Sequence, residues 1–185
     1  MALDRNLEDP RPYIERAQPT HPSVVDTEHV VADLYAMINV PTVVWIDEAG
    51  RIVRPNSVDF GTDLFKQFHG KESGPFLDAV RAWVREGTPP FPPDAAGARL
   101  ALPTQEEQLA RAEFAVAWLL HQRGRVDAAE AHFRRAGELS PHDWTIRRGS
   151  MPIRGVNPMG PDFFELYREW EAAGKPDYAS RARER

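Results

Sequence analysis

The residues able to do chemistry are few in this chain, and the strongest nucleophile is missing. Its 185 residues include no cysteine. Disulfides, thiolate metal sites and thiol catalysis are excluded within the sequence as it stands. Six histidines lie at 21, 29, 69, 121, 132 and 142, and none pairs with another at metal-ligand spacing. No metal or cofactor is expected. Glu28-His29 and His142-Asp143 read as solvated helix-start residues. There is no phosphate-binding glycine loop and no Gly-x-Ser-x-Gly. Asp47 follows an apolar run and precedes Gly50, where it is expected to fix a turn rather than act as a base. Asp26 or Thr27 reads as a helix N-cap.

Three arginines, Arg147, Arg148 and Arg154, stand in an irregular stretch from Trp144 to Gly160, with apolar residues between them. One reading is a loop that binds an anion or a partner. The other is an ordered arm wrapped over the body, anchored by Met151, Ile153 and Met159.

Composition narrows the classes. With 42% hydrophobic and 28% charged residues the chain has globular composition. Its net charge of −5 argues against a general nucleic-acid binder, which needs a basic face. Apolar stretches such as Val43 to Ile46 are far short of the roughly 18 residues of a membrane span. No basic start leads into an apolar region, so no signal peptide is expected; the compartment stays open, with the cytoplasm as default.

The elements follow from period and punctuation. Tyr13 to Ala17 suits a short helix entered through Pro12, and Ser23 to Asp26 an extended piece. Val30, Val31, Leu34, Met37 and Ile38 recur at helical spacing, predicting a helix over 28–38. After Asn39-Val40-Pro41, Thr42 to Asp47 reads as a strand buried on both faces. Glu48-Ala49-Gly50 turns the chain into a second strand, Arg51 to Arg54. A helical turn is expected around Leu64 to Phe68. A longer helix follows, capped by Ser73, with Phe76, Leu77, Val80, Trp83 and Val84 on its apolar face and Gly87 as its stop.

Residues 88–103 read as a stiff proline-rich linker. Thr104 and Glu107 form a capping box for a helix to about Arg123, stopped by Gly124. A second helix spans about 126–139, and a last one about 162–173, closed by Gly174 and Pro176. Arg181 to Arg185 are expected to fray. The domain expectation is thus 1–87, the linker 88–103, a helical pair 104–141, and an arm with a final helix over 142–185.

Val25-Asp26, the helix ending Tyr35 to Asn39, Val40-Pro41-Thr-Val-Val-Trp-Ile-Asp47, Gly50 and Ile52-Val53 occur in an order that resembles the second half of a thioredoxin-like domain. The nearest branch is the ResA/TlpA-like thiol–disulfide oxidoreductases, and the likeness covers roughly residues 1–87. It implies an α/β fold class: an incomplete thioredoxin-like domain of helix, cis-proline, β-hairpin and helix, followed by an all-α helical hairpin tail. It also implies a cis Val40-Pro41 bond. Val40, Pro41 and Thr42 would be the edge that docks a protein or peptide thiol or disulfide substrate. The family's first strand and its Cys-x-x-Cys helix have no counterpart here, and Met1 to Asp4 resembles the end of its second strand. Without the first strand, the strand at 42–47 has an open edge. Three accounts compete. The called start is too late, as when a selenocysteine codon is read as a stop; the chain is a natural fragment; or another chain or a second copy supplies the strand. The first is favoured.

Ala117, Leu120, Gly124, Ala129, Phe133, Ala136 and Pro141 resemble one tetratricopeptide unit over 109–141. The alternative there is a plain helical hairpin of similar period. Either must lean on something else, since one unit cannot bury its own face. The functional expectation is a redox protein seen without its Cys or Sec motif, inactive as given. The rival is a non-catalytic protein- or peptide-binding module, and a third idea is self-association through the open sheet edge.

Overall fold

The computed structural model describes residues 1–59, 61–64 and 66–183. In chain order it carries α1 (Arg11–Ala17), α2 (Val30–Leu34), β1 (Val43–Ile46), β2 (Ile52–Ser57), α3 (Lys66–His69), α4 (Ser73–Glu86), α5 (Pro93–Ala98), α6 (Gln105–Gln122), α7 (Val126–Leu139), α8 (Trp144–Arg147), α9 (Ser150–Ile153), α10 (Pro161–Ala172) and α11 (Tyr178–Arg183). The chain forms two compact units, and neither is contiguous in sequence. Residues 1–38 join 103–174, and 39–102 join 175–185.

In the first unit α6 and α7 form an antiparallel hairpin. Both capping-box bonds are present: Thr104 Oγ1 accepts the Glu107 N–H at 3.1 Å, and Glu107 Oε2 accepts the Thr104 N–H at 2.7 Å. Gly124, at φ 71°, lets the chain turn between the helices. Ala110, Ala117, Ala129 and Ala136 are fully buried, so the two backbones approach closely, while Phe114 and Phe133 meet edge to face at 5.6 Å. Ile146 of α8 closes this core.

The stretch expected to be irregular holds two short helices. Asp143 nucleates α8, its Oδ1 accepting the Thr145 N–H at 2.9 Å, and Met151 of α9 is buried behind it. The helix expected over 28–38 is only five residues long. Ala36, at φ 48°, breaks it, and Ile38 continues as buried coil whose carbonyl accepts the Trp144 N–H at 2.8 Å. The extended piece before it makes a parallel bridge, Ala2 to Val25.

In the second unit β1 and β2 form a two-stranded antiparallel sheet, with Val43 opposite Ser57, Trp45 opposite Arg54 and Ile46 opposite Ile52. The expected burial of the strand on both faces is not what is seen. Trp45 is buried, edge-on to Phe76 at 5.6 Å and stacked on Trp83 at 5.3 Å, but Ile46 is 42% exposed. α4 supplies the rings that cover one face, and among the described residues no second strand joins β1.

Ser73 does not cap α4; it lies inside the helix, and Asp63 Oδ1 accepts its N–H at 2.7 Å. Val84, placed on the apolar face by its spacing, is exposed. The helical turn expected around Leu64 to Phe68 falls at Lys66–His69, with Phe65 outside the described residues. The proline-rich stretch is not wholly extended: α5 forms within it and packs against β2. α11 covers part of the tail expected to fray, and 184–185 lie outside the described residues. The architecture is a mixed one, a small antiparallel sheet with a helical C-terminal region.

Candidate functional site

Val40, Pro41 and Thr42 sit together where the chain enters β1. The Val40-Pro41 bond is cis. Asn39 folds its amide back so that Oδ1 accepts the Val40 N–H at 2.8 Å. Thr42 Oγ1 donates to the Asn39 carbonyl at 2.6 Å and lies 2.8 Å from the Tyr178 hydroxyl. The corner is held from both ends, while the Val40 side chain is 57% exposed. Continuing along β1, the strand pairs on one side only among the described residues. The local chemistry is that of an extended edge with exposed apolar side chains at each end, Val40 and Ile46, and no nucleophile.

Asp47 closes the hairpin. Its Oδ1 accepts the N–H of Arg51 at 2.8 Å and of Ala49 at 3.0 Å, and Oδ2 accepts the Arg51 Nε–H at 2.9 Å. The backbone bond from Arg51, with help from its side chain, holds the carboxyl below the usual range. These bonds are those of a turn.

The three arginines have separate partners. Arg147 donates to Glu169 Oε2 at 3.0 Å and to the Pro141 carbonyl at 3.2 Å. Arg154 grips Glu130 with two nitrogens, Nε at 2.7 Å. Arg148 donates to the Pro158 carbonyl at 3.1 Å and lies 5.0 Å above the Phe163 ring. Burial lowers its pKa. Arg147 and Arg154 line one cavity of about 350 Å³ with Glu130, Glu138 and Glu169, and Arg148 lies outside that lining. Arg134 lines the cavity as well, so three basic side chains face three acidic ones and the formal charges of the lining balance. Among the described residues no group of three His, Asp or Glu side chains is placed to hold a metal ion.

Compared with protein-family models, curated proteins and solved structures, the chain matches none.

Two polar clusters escape a reading by motif. In the first unit Arg111 donates to Asp33 at 3.0 Å, to Asp143 at 2.7 Å and to the Met37 carbonyl. Asp143 is buried rather than solvated; burial pushes its carboxyl up, against the pull of Arg111 and of the Thr145 and Ile146 donors. His29 is not solvated either. Its ring stacks on Phe114 at 5.1 Å, and burial, then Arg111, lowers its pKa to about 4 against the pull of Asp26. Asp26 does cap, but across a gap: it accepts the N–H of Val30 and of Ala32, each at 2.9 Å.

In the second unit Asp59 receives Arg54 at 2.6 Å and Lys71 at 3.3 Å beside a cavity of about 380 Å³. The Arg54 guanidinium also lies 5.1 Å above Trp45 and 5.3 Å above Phe76. The alternation of charged and apolar residues from Arg51 to Arg54 predicts a wet face for the charges, whereas the Arg54 side chain lies against the rings, and its acidic partner comes from outside the strand.

Proposed function

We propose that this chain carries the helix, hairpin and terminal-helix part of a thioredoxin-like domain of the ResA/TlpA kind, and that it acts by holding an extended peptide rather than by thiol exchange. The observation that carries the reading is the open side of β1. An apolar strand with one bonded neighbour among the described residues presents unpaired backbone groups, the kind of edge that accepts another strand. The Val40 carbonyl, at the corner before Pro41, also accepts no hydrogen bond among the described residues. Specificity comes from the two exposed side chains, Val40 and Ile46, which favour an apolar peptide. Thiol–disulfide exchange needs a thiolate or selenolate to attack a disulfide, and these residues supply none.

Two assays test this. Dithiothreitol-driven reduction of insulin should proceed at the uncatalysed rate with the chain present. Reduced and alkylated insulin B chain, used as the extended peptide, should bind, and Ile46→Lys should weaken that binding about tenfold by placing a charge at the edge. Catalysed reduction, or binding indifferent to Ile46→Lys, would sink the reading.

A further inference from the structure

Helix α6 has two apolar faces, and the chain uses one of them. Ala110, Phe114 and Ala117 are buried in the hairpin core. Leu109, Ala112, Val116 and Leu119 are exposed, the three larger ones at 46%, 42% and 45%. Their spacing of three, four and three residues makes one straight stripe. Val116 lies six residues past Ala110, about 240° around the helix, so the stripe points away from the core. Single exposed apolar residues are ordinary, but a helical seam of this spacing is what a partner helix packs against.

The charges at its ends differ in sign. Glu106 stands exposed in the first turn, and Arg123 and Arg125 stand exposed beyond the last. Gln108, Ala115 and Gln122 flank one side without charge. On the other side Glu113 is engaged by His132 at 2.5 Å.

We propose that a second copy of this chain docks on the stripe, with the two α6 helices antiparallel about a two-fold axis. Leu109 of each copy then lies opposite Leu119 of the other, and Ala112 opposite Val116, a small residue facing a larger one. The Glu106 end of each helix meets the Arg123 end of the other. A parallel pairing brings Glu106 to Glu106 and Arg123 to Arg123, so the charges select the antiparallel register. The contact is self-complementary, as a two-fold interface must be. It owes nothing to the β1 edge.

Sedimentation equilibrium of the full chain over a range of concentrations tests this. The mass is expected to rise from 20.9 kDa towards twice that value. Val116→Glu should hold the chain monomeric with its circular dichroism unchanged, because the site is exposed. Should that variant fail to fold, Leu119→Ser is measured in its place. Glu106→Arg should weaken the dimer about tenfold, and adding Arg123→Glu should restore it. Ile46→Lys should leave the dimer intact. A wild-type monomer at every concentration overturns the proposal, as does a dimer that survives both Val116→Glu and Leu119→Ser. Failure of the charge exchange to restore association, or loss of the dimer in Ile46→Lys, overturns it too, the latter pointing to pairing through the sheet edge.

Discussion

At His29 the fold keeps an imidazole neutral, stacked on Phe114 and near the Arg111 guanidinium. An unfolded chain takes up that proton near the ordinary value of 6.5, whereas the folded one waits until about 4. Between these values the unfolded state binds more protons, so stability falls as pH drops from 6.5 towards 4. The full effect is on the order of 3 kcal/mol. Urea unfolding at pH 7.5 and 4.5 measures it, and His29→Asn, which tolerates the left-handed φ of 59°, should remove that part of the slope. Arg111 is the other decisive side chain. Replacing it by Met leaves the Asp143 carboxylate buried and unpaired, a loss of about 3–5 kcal/mol. Adding Asp143→Asn should recover part of the loss, since no bare charge then remains.

Neither residue was legible in the sequence. His29 looks like a solvated helix-start residue by type and position, and the ring and acceptors that His29 and Arg111 meet lie 32 to 85 residues away. Asp47 was legible, because a turn needs only its own neighbours.

Among the elements, those that announce themselves by local chemistry are α6, α7, α10 and the hairpin. The capping box, Gly124 and the 3.6-residue period act within a few residues of one another, so they can be read from the chain alone. Elements that exist only through packing were not read. α8 and α9 have four residues each, too short to stand without tertiary support; Asp143 and the burial of Ile146 and Met151 hold them. The periodic run from Val30 to Ile38 predicts a longer helix than forms, because Ala36 turns left-handed and Ile38 is used as buried coil.

The first unit is sensitive to volume at two places, Phe133 in the hairpin core and Gly149 ahead of α9. Phe133→Ala should cost about 3–5 kcal/mol in chemical denaturation, the cost of an emptied aromatic site. Gly149→Ala should also be strongly destabilising, since an added Cβ meets the Thr145 carbonyl oxygen at 2.1 Å and that atom is backbone.

At the scale of the whole molecule, the sequence suggests a plan laid out in order along the chain, whereas residues 1–38 pack with 103–174 and 39–102 with 175–185. Such an exchange rests on contacts such as Ile38 with Trp144 and Thr42 with Tyr178, which no local pattern encodes. The hairpin was readable from its own residues, and the cis bond at Val40-Pro41 was expected through the resemblance; the rings of α4 against Trp45 and the exposure of Ile46 were not, because both depend on what covers the sheet. A peptide-holding edge at β1 makes the central claim, and amide shift mapping of the ¹⁵N-labelled chain with reduced, alkylated insulin B chain tests it most directly. The account predicts shifts concentrated from Val40 to Ile46, weakened in Ile46→Lys. Shifts confined to α6, α7 or the Arg147–Arg154 cavity, or no shifts at all, would contradict it.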